Sequence, residues 1–169
     1  MKKFNFARVL AFVCAMMLVL AGCGGGDSAS GGNGGSAAAP TAAQVADAML
    51  AAFTPRGELP AMEESVVDNF YSFDKAVLPD YKIYASTTYT AEEIAVFATP
   101  GQDAVDAAKK AINTRVDDLK TSFDGYKPEE LAVLEENVQI LEGNGVVALL
   151  MGDSDNVKKA KEAFDKATK

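Results

Sequence analysis

Val146-Val147-Ala148-Leu149-Leu150-Met151 follows directly on Gly143-Asn144-Gly145, and this stretch constrains the fold more than any other. Asn-Gly favours the tight primed turn, so 138–142 and 146–151 are expected as the two arms of a hairpin. Successive side chains of a strand point to opposite faces. A run with no polar face therefore belongs at the centre of a sheet, covered on both sides.

Helices have to supply that cover. Thr41-Ala42-Ala43-Gln44 has the capping-box pattern, and Val45, Ala48, Met49, Ala52 and Phe53 continue at helical spacing until Thr54-Pro55-Arg56-Gly57 stops it. Met62, Val66, Phe70 and Phe73 predict a second, shorter helix over 62–73. Aromatic and β-branched residues over 81–89 and the apolar run 94–98 read as two strands, joined through Thr90-Ala91-Glu92. Val105, Ala108, Ile112, Val116, Leu119 and Phe123 form a stripe that predicts the longest helix, 102–123. Pro128 suits the first turn of a helix reaching 136. Asp153 to Asn156 supply caps for a last helix with Val157, Ala160, Phe164 and Ala167 inward. The order α(α)ββααββα gives a single α+β domain over 41–169, with a mostly antiparallel four-stranded sheet packed with helices. A chain of roughly 130 residues buries about two thirds of its unfolded surface and needs no disulfide or metal to fold.

The first forty residues are of another kind. Lys2, Lys3 and Arg8 precede a run from Val9 to Leu20 that is apolar throughout apart from Cys14, the layout of a secretory signal peptide over 1–22. The run has 12 residues, short of the roughly 20 that a membrane-crossing helix needs. Leu20-Ala21-Gly22-Cys23 at its end resembles the lipobox of bacterial lipoprotein precursors. That resemblance implies signal-peptidase recognition through Leu20, Ala21 and Gly22, cleavage after Gly22, and a diacylglycerol thioether on Cys23. Two or three acyl chains hold a protein stably where one does so only marginally. The expected location is the extracytoplasmic face of the cell membrane, with the lipidated Cys23 as anchor. Residues 24–40, GGGDSASGGNGGSAAAP, hold seven glycines and nothing able to nucleate packing, so 23–40 reads as the anchor and its flexible linker.

Three stretches of the domain carry a second resemblance: Thr90-Ala91-Glu92-Glu93-Ile94-Ala95-Val96-Phe97, Tyr126-Lys127-Pro128-Glu129 after the long helix, and Gly143-Asn144-Gly145-Val146. Together, over roughly 45–164, they look like an uncharacterised family of bacterial lipoprotein domains, a domain of unknown function. The resemblance implies surface lipoproteins, mostly of Firmicutes, and brings no assigned activity or catalytic residues.

Composition narrows the chemistry. The chain has no His and no Trp, and its two cysteines, Cys14 and Cys23, both precede the domain. A Ser/His/Asp triad, a Cys/His pair, a common zinc ligand set and a thiol redox centre are all out of reach inside it. No cofactor fingerprint appears, because the linker glycines lack the flanking strand and helix of a phosphate loop. Three of the 16 Lys and Arg lie in the signal segment, leaving 13 against 24 Asp and Glu, a net charge of −11 that disfavours nucleic acid and anionic lipid heads.

The remaining candidates are few. Glu92 and Glu93 resemble an acid/base pair, but adjacent strand residues face opposite ways, and Glu93 is expected to close a capping bond with Thr90. Asp153-Ser154-Asp155 resembles the start of a calcium loop without its later ligands, and is read as a helix cap. Tyr71, Tyr81, Tyr84, Tyr89 and Tyr126 either bridge core to water or line a recognition face. Tyr84 and Tyr89, on a strand expected at a sheet edge, are the candidate ligand-binding residues there. The reading is a non-enzymatic, lipid-anchored binding or scaffolding module for an unknown envelope protein or cell-wall ligand. The alternatives are a small cell-wall hydrolase with two carboxylates about 5 to 9.5 Å apart, or an envelope chaperone or inhibitor with an exposed apolar patch.

Overall fold

In the computed structural model, which describes residues 39–169, Val146–Met151 is strand β4 of a four-stranded sheet. All six of its residues are buried. The elements along the chain are α1 (Ala42–Ala51), α2 (Glu64–Phe70), β1 (Tyr81–Ala85), β2 (Glu93–Ala98), α3 (Gln102–Phe123), α4 (Pro128–Glu136), β3 (Gln139–Gly143), β4 and α5 (Ser154–Ala167). The sheet order is β1-β2-β4-β3 with every pair antiparallel. This is the α+β architecture and element order expected. Leu20, Ala21, Gly22, Cys23 and the signal segment lie outside the described residues. Among the described residues no helix is long and apolar enough to cross a membrane.

The register sorts the side chains into two cores. Val146, Ala148 and Leu150 of β4, with Ile94 and Val96 of β2, face α1 and α5 and pack on Val45, Met49 and Phe164. Val147, Leu149 and Met151, with Ala95 and Phe97, face the other way and meet Ile112, Val116 and Phe123 of α3, Leu134 of α4 and Val67 of α2. The apolar run thus lies between two helical layers, as a strand without a polar face requires.

Local chemistry fixes the joints. Thr41 and Gln44 form both bonds of the capping box on α1. Asn144 and Gly145 both have positive φ, 41° and 77°, as a primed hairpin turn demands. Asp153 caps α5 by accepting from the Asn156 N–H at 2.9 Å. Gly152 joins β4 to that cap at φ +157°, and a Cβ there would stand 2.6 Å from Cζ of the Phe53 ring. An aromatic ring in a packed core yields poorly, so Gly152→Ala is expected to cost about 2 kcal/mol. Urea unfolding checks this, with Phe53→Leu in the same chain expected to recover part of the loss.

Several boundaries differ from expectation, among them the end of the second helix, which stops at Phe70 and not at 73 because Tyr71 is extended. β1 ends at Ala85 instead of reaching 89, because the Ser86 hydroxyl accepts from the Thr88 N–H at 3.2 Å and Tyr89 turns to φ +56°. Such local side-chain bonds compete with a ladder. The second helix starts at Glu64, since Met62 N–H donates to Ile83 O at 2.8 Å and is held extended along β1.

Candidate binding cleft

Glu93 opens β2 on the α3 side of the sheet, where Arg115 projects from the middle of α3. The Arg115 Nη2 donates to Glu93 Oε2 at 2.7 Å, and Nε lies 3.2 and 3.3 Å from the two oxygens. The Tyr71 hydroxyl, at the end of α2, donates to Glu93 Oε1. All three side chains are buried, and the guanidinium carbon lies 4.8 Å from the Phe70 ring centre and 5.9 Å from that of Tyr71. Burial and then the Glu93 charge push the Tyr71 pKa well up, with Arg115 opposing. Burial alone would lower the Arg115 pKa, and the Glu93 charge and hydrogen bonds overcome it and raise it. The pair is a desolvated unit that satisfies itself.

Above this floor lies a cleft of about 710 Å³ between α2, α3 and the loop after β1. Its rim is apolar and open to solvent: Phe70 and Tyr89 are each 47% exposed and Val66 is 37% exposed. Scattered exposed apolar residues are ordinary, but these converge on one concavity. Tyr89 holds a left-handed backbone that costs an ordinary residue roughly 1–2 kcal/mol. It is kept there by its neighbours. Its ring packs edge-on against Phe123, 5.0 Å between centres, and Lys127 Nζ donates to its carbonyl at 2.7 Å.

A second charged cluster fastens the same loop from below. Arg56 forks onto Glu130 of α4 with two bonds of 2.8 Å, while its backbone N–H donates to Glu92 at 3.1 and 3.2 Å. Glu130 also accepts from the buried Ala91 N–H at 2.7 Å, and the Thr90 hydroxyl donates to Glu92 at 3.2 Å. Burial pushes the Glu130 pKa up, but the Arg56 and Ala91 hydrogen bonds and the nearby cations outweigh it and hold it below the usual carboxylate value.

The tyrosines do not share one face. Tyr71 is buried, Tyr81 packs with Phe73 and Phe97, and Tyr126 stands beside Tyr89. Tyr84 lies on the α1 side of β1, where its hydroxyl donates to Asp47 at 2.5 Å and burial together with that bond pushes its pKa up to about 12. Tyr89 is off the strand and on the cleft rim, so the two candidates stand on separate surfaces. β1 is an edge strand as expected, but Pro60–Met62 lies along it through a bridge between Ala61 and Tyr84. Glu92, not Glu93, bonds Thr90: the strand starts at Glu93, whose side chain is thereby turned to α3. Asp153 serves as a helix cap, and among the described residues no cluster of acidic, Cys or His side chains is placed to hold a metal.

A family model described as a domain of unknown function, DUF4358, matches residues 57–152. The chain belongs to that family. In this DUF4358 protein the matched stretch contains the whole sheet, α2 to α4, the Glu93–Arg115 pair and all of the cleft lining, while α1 and α5 fall outside it. No curated protein and no solved structure matches the chain.

Proposed function

We propose that this protein is a lipid-anchored extracytoplasmic module that binds a ligand in the cleft above Arg115 and performs no chemistry of its own. The observation that carries the binding reading is the open concavity rimmed by Phe70, Tyr89 and Val66. Of the carboxylates that line the cleft, Glu93 has its oxygens engaged by Arg115 and Tyr71, and Glu63 and Asp118 stand exposed at its edge, without the contrasting burial that splits a pair into acid and base. The envelope location rests on Leu20 to Cys23 after the apolar run and on the glycine-rich linker behind them.

Both halves are testable in intact cells. Cys23→Ala is expected to move the chain from the membrane fraction to the soluble one, and an unchanged distribution would refute the anchor. A photoreactive phenylalanine at position 70 is expected to give a discrete adduct, whereas one at position 158, on the exposed face of α5, gives none. Equal labelling at both positions, or none at either, would refute the cleft.

A further inference from the structure

Resting on that reading, we infer that the cleft takes an extended, Lys- or Arg-bearing segment of a partner protein, paired with the backbone of Ala61 and seating apolar side chains against Phe70 and Tyr89. The backbone geometry comes first. Met62 N–H donates to Ile83 O at 2.8 Å and Ala85 N–H donates to Pro60 O at 3.3 Å, on either side of the bridge between Ala61 and Tyr84. When the bonds of an antiparallel bridge come from the flanking residues, the bridge residue's own N–H and C=O point away from the sheet. Ala61 is exposed, and neither group has a hydrogen-bond partner among the described residues. A peptide residue placed opposite Ala61 exchanges both bonds with it, which is how extended segments add to sheet edges.

The pleat then decides which side chains enter. Directly opposed residues share a face, so the peptide residue opposite Ala61 shares the Tyr84 side. Its two neighbours point to the other side, which is the side of Ala85, Glu93 and the cleft. Cavity and strand edge therefore select alternate residues of one chain, a pattern that a sugar or a compact small molecule does not have.

Charge decides the rest. Glu93 is neutralised by Arg115, but Glu63 and Asp118 also line the cleft, are exposed, and have no ion-pair partner among the described residues. The net excess is negative within a chain of charge −8. A segment carrying Lys or Arg beside its apolar anchors is complementary, and an acidic one is repelled.

The probe is the peptide Ac-Lys-Ala-Phe-Ala-Phe-Ala-Lys-NH₂, whose lysines and phenylalanines share the cleft-facing side when the central alanine lies opposite Ala61, added to the full chain in mild detergent and followed by amide chemical shifts. Shifts are expected to concentrate at 60–63, 66–70, 85–90 and 115–122. N-methylation of the central alanine, which removes one backbone donor without touching the protein, is expected to weaken binding about tenfold. Replacing both peptide lysines by glutamate, or Glu63→Lys with Asp118→Lys in the protein, is expected to do the same or more. Equal binding of the N-methylated or the acidic peptide overturns the inference. So does saturation of the cleft by chitotetraose in place of the peptide, which would leave the binding reading intact. An adduct from position 70 to the chain's own first 38 residues overturns the commitment to a second protein. The binding reading is decided separately by whether position 70 labels at all.

Discussion

Arg115→Met is expected to lower the unfolding free energy by about 3–5 kcal/mol, the largest effect of any single substitution outside the apolar core. Methionine keeps most of the side-chain volume beneath Phe70, so the loss is electrostatic. It strands the Glu93 carboxylate, 2% exposed, with the Tyr71 hydroxyl as its remaining donor. A buried anion without its cation either stays charged at a heavy desolvation cost or binds a proton, and both routes favour unfolding. The converse follows. Adding Glu93→Leu and Tyr71→Phe removes the stranded charge and the stranded hydroxyl together, and the triple variant is expected to recover most of the loss, since apolar replacements of a whole buried pair are often neutral. Urea unfolding with an unchanged slope measures both. A loss below about 1 kcal/mol in the single variant, the range of surface ion pairs, would show that the pair is hydrated in solution.

The parts of this fold that were legible in the sequence are those decided by neighbours along the chain. The β4 run has no polar face, the turn before it has Asn and Gly where positive φ is needed, and Pro128 starts α4 at the expected residue. α3 occupies 102–123 as its stripe predicts, because Asp124 and Gly125, the latter at φ +69°, end it. What failed depended on distant partners or on side-chain bonds to the backbone. Apolar spacing puts Met62 in a helix, yet a carbonyl on β1 holds it extended. The site was less legible than the fold. Arg115 did leave a trace, since it falls between Ile112 and Leu119 on the inward stripe, where a cation signals a buried partner. Arg56 and Glu130 left none, because 74 residues separate them and no periodicity joins a helix stop to the first turn of a later helix. Residue type makes Tyr89 a binding candidate, but its place on the rim comes from a left-handed turn that has no local sequence signal.

Arg56→Ala is expected to cost about 3 kcal/mol near neutral pH, and the effect of acid on that loss identifies its cause. Glu92 and Glu130 are buried and contact the same guanidinium. Removing it leaves two neighbouring carboxylates with backbone N–H groups and one hydroxyl as donors, so the cost lies near the bottom of the roughly 3–5 kcal/mol range for a broken buried pair. The lower end applies because the Arg56 side chain is itself 42% exposed and partly hydrated. In the native protein the Glu130 pKa lies below its ordinary value of 4.5. A carboxylate whose folded pKa is depressed adds stability that is fully present above its unfolded pKa and is lost as pH falls through the folded one. Without Arg56 the burial of Glu130 is unopposed by that cation, its folded pKa rises, and protonation favours the folded state. The native protein is therefore expected to lose stability as pH falls below about 4.5, while the variant loses less or gains, so the gap between them narrows. Urea midpoints from pH 7 to pH 3.5 measure it. A gap that stays constant across that range would mean that Arg56 acts through packing of its methylenes and not through the two carboxylates it joins.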